Sequence, residues 1–268
     1  MTLASNFATA IEEAWQRAQF VPGYIGELEF KALGLLAAAA PAGGVTVEIG
    51  SFKGKSTVAL ASMAATFGLG PVISIDPHTA PSVTDPLLAG QPSSFDDFLA
   101  TLRGAGIESQ VEVNRASSKD VAPGGNRSIR LLWIDGDHTY AGAKQDFELF
   151  SPFLVDGAIV AFHDALHEFE GPIRVFVEEL LRSDSFGPAG FLHTIGWSQY
   201  RPRDGAAFRG ARLRLARQAA KLIPFVEGGR PVKGLSKIRY KISRALIPHA
   251  VPSPSEWNAK IAPLLSGG

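Results

Sequence analysis

The sequence predicts an α/β protein: a doubly wound, mostly parallel seven-stranded sheet with helices on both faces, N-terminal helices leading into it and a basic helical extension after it. Three observations predict this. Short β-branched runs alternate with segments of helical periodicity between residues 45 and 182, the pattern of parallel strands joined by crossover helices. Several of those runs end in acidic residues and the first runs into glycines, so polar chemistry gathers at one end of the strands. Charge is also segregated: residues 201–268 hold fourteen Lys and Arg against three Asp and Glu, a net +11, which leaves −11 on residues 1–200. The expected division is a catalytic domain over 1–203 and an extension over 204–268.

The elements follow in order. Phe7 to Arg17 and Glu27 to Ala40 carry apolar residues at helical spacing and lead into the sheet. Strands are expected at 45–49, 72–76, 110–114, 129–134 and 157–162, with helices at 55–67, 94–104, 140–150 and 171–182 between and after them. Phe191 to Arg201 supplies the last one or two strands. The loop from Pro77 to Pro92 has four prolines and little periodicity, the character of a lid over a site. His78 opens it, and reads more naturally as a loop histidine than as a pocket residue. Trp133 belongs to the core.

Val45-Thr-Val-Glu48-Ile-Gly50-Ser51-Phe-Lys-Gly54-Lys-Ser56-Thr57 is a strand, a tight turn and a helix start, the layout that holds nucleotide-like ligands. A phosphate-binding loop needs four residues between its first glycine and Gly-Lys-Ser/Thr; here there are three. Glu48 would also repel a triphosphate while suiting a cationic or hydroxyl-rich ligand. Gly50 and Gly54 would let the backbone approach that ligand closely. Asp76 closes the next strand, where a carboxylate meets a ribose diol in such sheets. Val111 to Asn114 then gives way to small polar residues, among them Ser117.

Two clusters complete the pattern. Ile129-Arg-Leu-Leu-Trp-Ile134 ends in Asp135-Gly-Asp137-His138, and Ala158-Ile-Val-Ala-Phe162 ends in His163-Asp164. Both fall at strand ends on one edge of a parallel sheet, and neighbouring strands lie ~5 Å apart. Asp135, His163 and Asp164 can therefore converge on one divalent ion. Oxygen ligands suit Mg²⁺ or Mn²⁺, and an imidazole shifts the balance toward Mn²⁺, Fe²⁺ or Zn²⁺. A buried carboxylate pair without counter-charge is costly, which also argues for a cation. Helix capping by these acids is the competing structural reading.

Glu48-Ile-Gly50-x-x-x-Gly54, with Ile-Asp-Gly-Asp-His-x-Tyr and Ile-Val-Ala-Phe-His-Asp after it, resembles the class I S-adenosylmethionine-dependent methyltransferases. Within them it looks like the metal-dependent sugar and natural-product O-methyltransferases related to macrocin O-methyltransferase, and more distantly like catechol and caffeoyl-CoA O-methyltransferases. The lead-in Pro22-Gly-Tyr-Ile-Gly-Glu27-Leu-Glu29 is similar too, and the resemblance covers roughly residues 20 to 200. It implies a Rossmann-like methyltransferase fold and S-adenosylmethionine as cofactor, bound by Glu48, Gly50, Ser51, Gly54, Ser56, Asp76, Ser117 and Asp135. It implies a divalent metal (Mg²⁺ or Mn²⁺) on Asp135, His163 and Asp164, with His163 departing from the family's oxygen ligand. The family's general base falls on Asp137 or His138, with Asp137 the first choice. The acceptor would be a hydroxyl of a sugar, glycolipid or natural product. Two other readings stand beside it: an Fe(II)-dependent hydroxylase on the same scaffold, since a His with two acids can hold Fe²⁺, and a non-catalytic cofactor-binding scaffold.

Absence of cysteine excludes disulfides and Cys-based zinc sites. No signal-like start or apolar run of about 18 residues is present, so a cytoplasmic protein is expected. In the tail, Phe208, Ala211, Leu215, Ala219 and Leu222 recur at helical spacing among Arg209, Arg212, Arg214, Arg217 and Lys221. Leu235, Ile238, Ile242 and Leu246 repeat this among Lys233, Lys237, Arg239, Lys241 and Arg244, and Pro248 to Pro254 reads as irregular. Such helices suit an anionic membrane surface, or they dock on the acidic domain, within the chain or across a homodimer. Nucleic acid is a poorer partner, because aromatic residues are sparse between the bases.

Overall fold

The computed structural model describes residues 2–79, 86–88, 90–122, 127–229 and 231–266. The apolar runs form seven strands: β1 Val45–Ile49, β2 Val72–Ile75, β3 Val111–Asn114, β4 Ile129–Ile134, β5 Leu154–Phe162, β6 Phe186–Leu192 and β7 Ile195–Tyr200. They make one sheet in the order β3-β2-β1-β4-β5-β7-β6. β7 runs antiparallel to both its neighbours, and every other pairing is parallel. All residues of β1 and β4 are buried, as central parallel strands covered on both faces require.

The crossover segments are helical: α1 Phe7–Ala18, α2 Glu27–Ala39, α3 Lys55–Phe67, α4 Phe95–Ala105, α5 Ser118–Val121, α6 Tyr140–Phe150 and α7 Glu170–Val175, which widens into a π-helical turn over Phe176–Leu181. After the sheet come α8 Arg209–Ala219, α9 Ile223–Val226, α10 Gly234–Ala245, α11 Pro254–Lys260 and α12 Ala262–Ser266. Alternate side chains of each strand face opposite layers. Leu131, Trp133, Ile159 and Ala161 pack with α1, α2 and α3, while Leu132, Ile134, Val160 and Phe162 pack with α6 and α7.

The extension does not stand apart. Ala216, Ala219, Leu222 and Tyr240 belong to the second layer, and Trp257, Ala262 and Leu265 to the first. Leu3 N–H donates to Asn258 Oδ1 at 2.7 Å, which joins the segment before α1 to α11. The boundary expected at 203/204 is thus not a break in packing. β6 begins five residues earlier than expected, because Gly187-Pro188 disguises an edge strand. α11 follows a segment that reads as irregular; Ser253 and Glu256 form a capping box at its start.

Register places the site. Ile49 is level with Ile75 and Ile134, and Ile134 with Phe162. The next residue on each strand, Gly50, Asp76, Asp135 and His163, therefore stands in one row along the C-terminal edge. Strand order reverses between β1 and β4, and ligands bind at such switch points.

Candidate active site

The turn after β1 is held from both sides. Gly50 and Gly54 have φ of +85° and +90°, values that only glycine adopts at little cost. A Cβ on Gly50 would strike the carbonyl oxygen of Asp135, and one on Gly54 would meet the Phe98 and Thr101 side chains at 3.1 and 3.2 Å. These glycines thus answer to the protein's own packing, in addition to any ligand. Asp76 Oδ2 accepts from the N–H groups of Ser51 (2.9 Å) and Phe52 (2.7 Å), and its Oδ1 from His78 N–H (2.6 Å). The carboxylate expected to meet a ribose therefore also ties the first turn to the second, and Oδ1 keeps a free lone pair. Ser51 Oγ accepts from Ser74.

Glu48 lies fully buried beneath this turn. Thr57 Oγ1 donates to its Oε2 at 2.6 Å, while Oε1 has no hydrogen-bond partner among the described residues. Burial pushes its carboxyl up to about 8, against the Ser56 and Thr57 hydroxyls. In the protein alone, burial thus favours its neutral form, which weakens the long-range attraction expected of it. Ser56 is buried in the first turn of α3. Ser117 stands at the N-cap position of α5 without a side-chain capping bond, and its hydroxyl donates to Asp120 Oδ2 at 2.6 Å. Its buried neighbour Ser118 donates to Asp146 Oδ1 at 2.6 Å, and burial pushes Asp146 up to about 6.

The second half of the site centres on His163. Its Nδ1 lies 3.0 Å from Asp135 Oδ1 and 3.6 Å from Asp164 Oδ2, and its Nε2 lies 3.6 Å from Glu29 Oε1. His138 Nε2 stands 3.4 Å from Asp135 Oδ1 and 3.9 Å from Asp164 Oδ2. Asp135 and Asp164 thus both approach His163 Nδ1, but the group spaced to share one ion is Glu29, His163 and Asp164, without Asp135. Burial opposes charge on every member, but the mutual attraction wins for most. Asp135 is held below its usual range by His163 and His138, and both imidazoles are raised by the acids around them. Burial keeps Asp164 above its usual range despite His163. Protonated His138 and His163 would therefore supply the carboxylates with counter-charge without a cation.

Donor chemistry still fits a divalent ion. Glu29, His163 and Asp164 each offer a ligand atom within 4.8 Å of the others, and Nε2 of both His138 and His163 lacks an aligned hydrogen bond among the described residues. An ion would need these imidazoles neutral.

Glu29 is not legible in the sequence as a site residue. It occupies the first turn of α2, where an acid is an ordinary cap, and it does accept from Gly26 N–H at 3.1 Å. Its other oxygen accepts from Thr194 Oγ1 and lies 3.1 Å from His193 Nδ1. Burial would raise this carboxyl, but the hydrogen bond and charge of His163 hold it far below the usual range.

The two candidate bases separate by geometry. Asp137 Oδ1 accepts from Thr139 N–H at 2.9 Å, and its carboxyl lies against Gly142 in the first turn of α6. His138 points into the cluster, with Phe169 stacked on its ring at 4.4 Å. His78 is a buried loop histidine, its Nδ1 2.9 Å from Ser94 Oγ and its ring against Phe98. Of the lid expected from Pro77 to Pro92, residues 80–85 and 89 lie outside the described residues.

Comparison with known proteins agrees with this architecture. Residues 47–165, which hold the β1 turn and both strand-end clusters, match the model of a family described as a methyltransferase domain. Among solved structures, the O-methyltransferase NovP is similar with a TM-score of 0.59 at 15% identity, over 74% of this chain and 98% of that one. An O-methyltransferase from Bacillus cereus in complex with SAH has a TM-score of 0.50 at 18% identity, over 71% and 90%. The O-methyltransferase TomG from Streptomyces achromogenes, involved in tomaymycin synthesis and solved with SAM, has a TM-score of 0.50 at 16% identity, over 74% and 90%. Fold and matched segment agree: the chain has a Rossmann-like methyltransferase fold, and its residues 47–165 match a methyltransferase domain.

Proposed function

We propose that this enzyme transfers the methyl group of S-adenosylmethionine to a hydroxyl of a small-molecule acceptor, a sugar, glycolipid or natural product. The observation that carries this reading is the row of Asp135, His163 and Asp164 with His138, on the same strand edge as the Gly50 turn. The turn backbone, Asp76 and the unpartnered Oε1 of Glu48 supply polar groups for the cofactor beside β1 and β2. The acid–imidazole cluster lies one strand further on, so an acceptor oxygen held there would lie beside the donor methyl, as in-line displacement requires.

The reaction forms a C–O bond as the methyl–sulfur bond breaks, and the acceptor proton must leave. His138 is the residue proposed to take it, in place of Asp137, whose carboxyl is engaged at the start of α6. Its raised pKa makes the neutral imidazole a stronger base than an ordinary histidine. Asp135 orients both imidazoles and stabilises the imidazolium formed. Asp135, His163, Asp164 and Glu29 are the residues that would hold a divalent ion, and an ion there would lower the pKa of a bound hydroxyl. The same donors suit Fe²⁺, so assays compare S-adenosylmethionine with oxygen plus reductant. Gain of one methyl by a hydroxylated acceptor, dependent on S-adenosylmethionine, is the expected result; oxygen-dependent hydroxylation instead would overturn the reading.

A further inference from the structure

One face of α10 is apolar and uncovered. Leu235, Ile238, Ile242 and Leu246 are 74, 56, 59 and 70% exposed, and their spacing puts them on one side of the helix. The opposite side fixes the helix to the body. Tyr240 is buried there, with Val232 before it and Ile247 after it. The Tyr240 hydroxyl donates to the His167 carbonyl at 2.5 Å, and Lys237 pairs with Glu168 at 3.1 Å. Single exposed leucines are ordinary on protein surfaces, but a contiguous row calls for a partner.

Charge says which partner. Residues 231–249 contain Lys233, Lys237, Arg239, Lys241 and Arg244 and no acidic residue. We propose that this face of α10 docks on the surface of an anionic lipid bilayer, with the four apolar side chains entering the interface and Arg239 and Lys241, the bases nearest that face, meeting lipid phosphates. A two-fold contact with a second copy would instead set these bases against themselves. The other basic helix is not part of this surface. In α8, Arg212 is buried and donates to the carbonyls of Phe186, Gly205 and Ser183, and Arg209 pairs with Asp184. Among the described residues no helix is long and apolar enough to cross a membrane, so the contact is peripheral.

Position gives the contact a use. The segment that Tyr240 and Lys237 grip carries Phe169, the ring stacked on His138. Docking through α10 would hold the acceptor side of the active site close to the lipid surface, where the hydroxyl of an amphiphilic acceptor is presented. Vesicle binding needs no turnover, so this proposal and the methyl-transfer reading fail separately.

The test is co-sedimentation of the full chain with phosphatidylcholine vesicles, with and without phosphatidylglycerol, at low and high salt. Binding is expected only with the anionic lipid and should weaken with salt. The double variant Ile238→Asp, Ile242→Asp changes only exposed positions, and should lower partitioning about tenfold or more with its melting temperature unchanged. Arg239→Gln with Lys241→Gln should lower it with less effect on binding driven by apolar contact. No vesicle binding by the wild type, or equal binding by the Asp variant, overturns the proposal. So does a wild-type dimer that the Asp variant dissociates without any vesicle binding, which would assign the face to a second copy.

Discussion

Replacing Glu48 by Gln tests whether burial governs the floor of the cofactor turn. The carboxyl is fully buried, and burial raises it from 4.5 to about 8. Between those values the folded state holds a proton that the unfolded state has lost, so stability must fall as pH rises. The slope is about 1.4 kcal/mol per pH unit, and the full span is worth at most roughly 5 kcal/mol. That is a large share of a typical domain's 5–15 kcal/mol, in round terms. Glutamine keeps an acceptor for Thr57 but cannot ionise. Denaturant unfolding followed by the fluorescence of the four tryptophans, from about pH 5 to pH 9, should show the wild type losing stability relative to the variant until about pH 8 and running parallel above it. A constant offset over the whole range would mean that Glu48 ionises normally in the folded protein, and would refute the argument.

Three further outcomes concern the base, the metal set and the extension. His138→Ala should lower kcat by about 10²- to 10⁴-fold and remove an acidic limb whose midpoint lies above pH 6.5, since a raised imidazole must be neutral to accept a proton; Asp137→Asn should leave kcat within a few-fold, and the reverse order would restore Asp137 as the base. Asp135→Ala should abolish turnover with S-adenosylmethionine affinity retained and Mn²⁺ occupancy reduced, measured by calorimetry and metal analysis; lost turnover at unchanged occupancy would remove Asp135 from the metal set. Arg212→Met should cost about 3 kcal/mol or more, because two buried carbonyls and one half-buried carbonyl lose their donor; an unchanged denaturation midpoint would show that the α8 region is a separable appendage.

The central sheet is legible in the sequence because its strands are buried on both faces and read as unbroken apolar runs. Their ends, and with them Asp76, Asp135 and His163, align from that pattern alone. β6 reads short because an edge strand tolerates Gly187-Pro188. The Ser253–Glu256 capping box of α11 is a usable sequence signal, masked by the prolines on either side of it. Glu29 has no such signal: only the tertiary approach of α2 to β7 distinguishes it from a routine acid at a helix start. The choice between Asp137 and His138 is equally closed to sequence, since it turns on which side chain Thr139 N–H and Gly142 draw toward α6. Charge counts foretell two basic helices, but only packing separates α8, whose Arg212 is spent inward, from α10, whose face is open.

Calorimetric titration of S-adenosylmethionine into the full chain, with and without Mn²⁺ or Mg²⁺, tests the account most directly. Saturable one-site binding is predicted under both conditions, because the groups proposed to hold the cofactor sit on β1 and β2, one strand from the acid–imidazole cluster. Absence of binding with and without metal would contradict the assignment of the Gly50–Asp76 edge as a cofactor site, and with it the methyl-transfer reading.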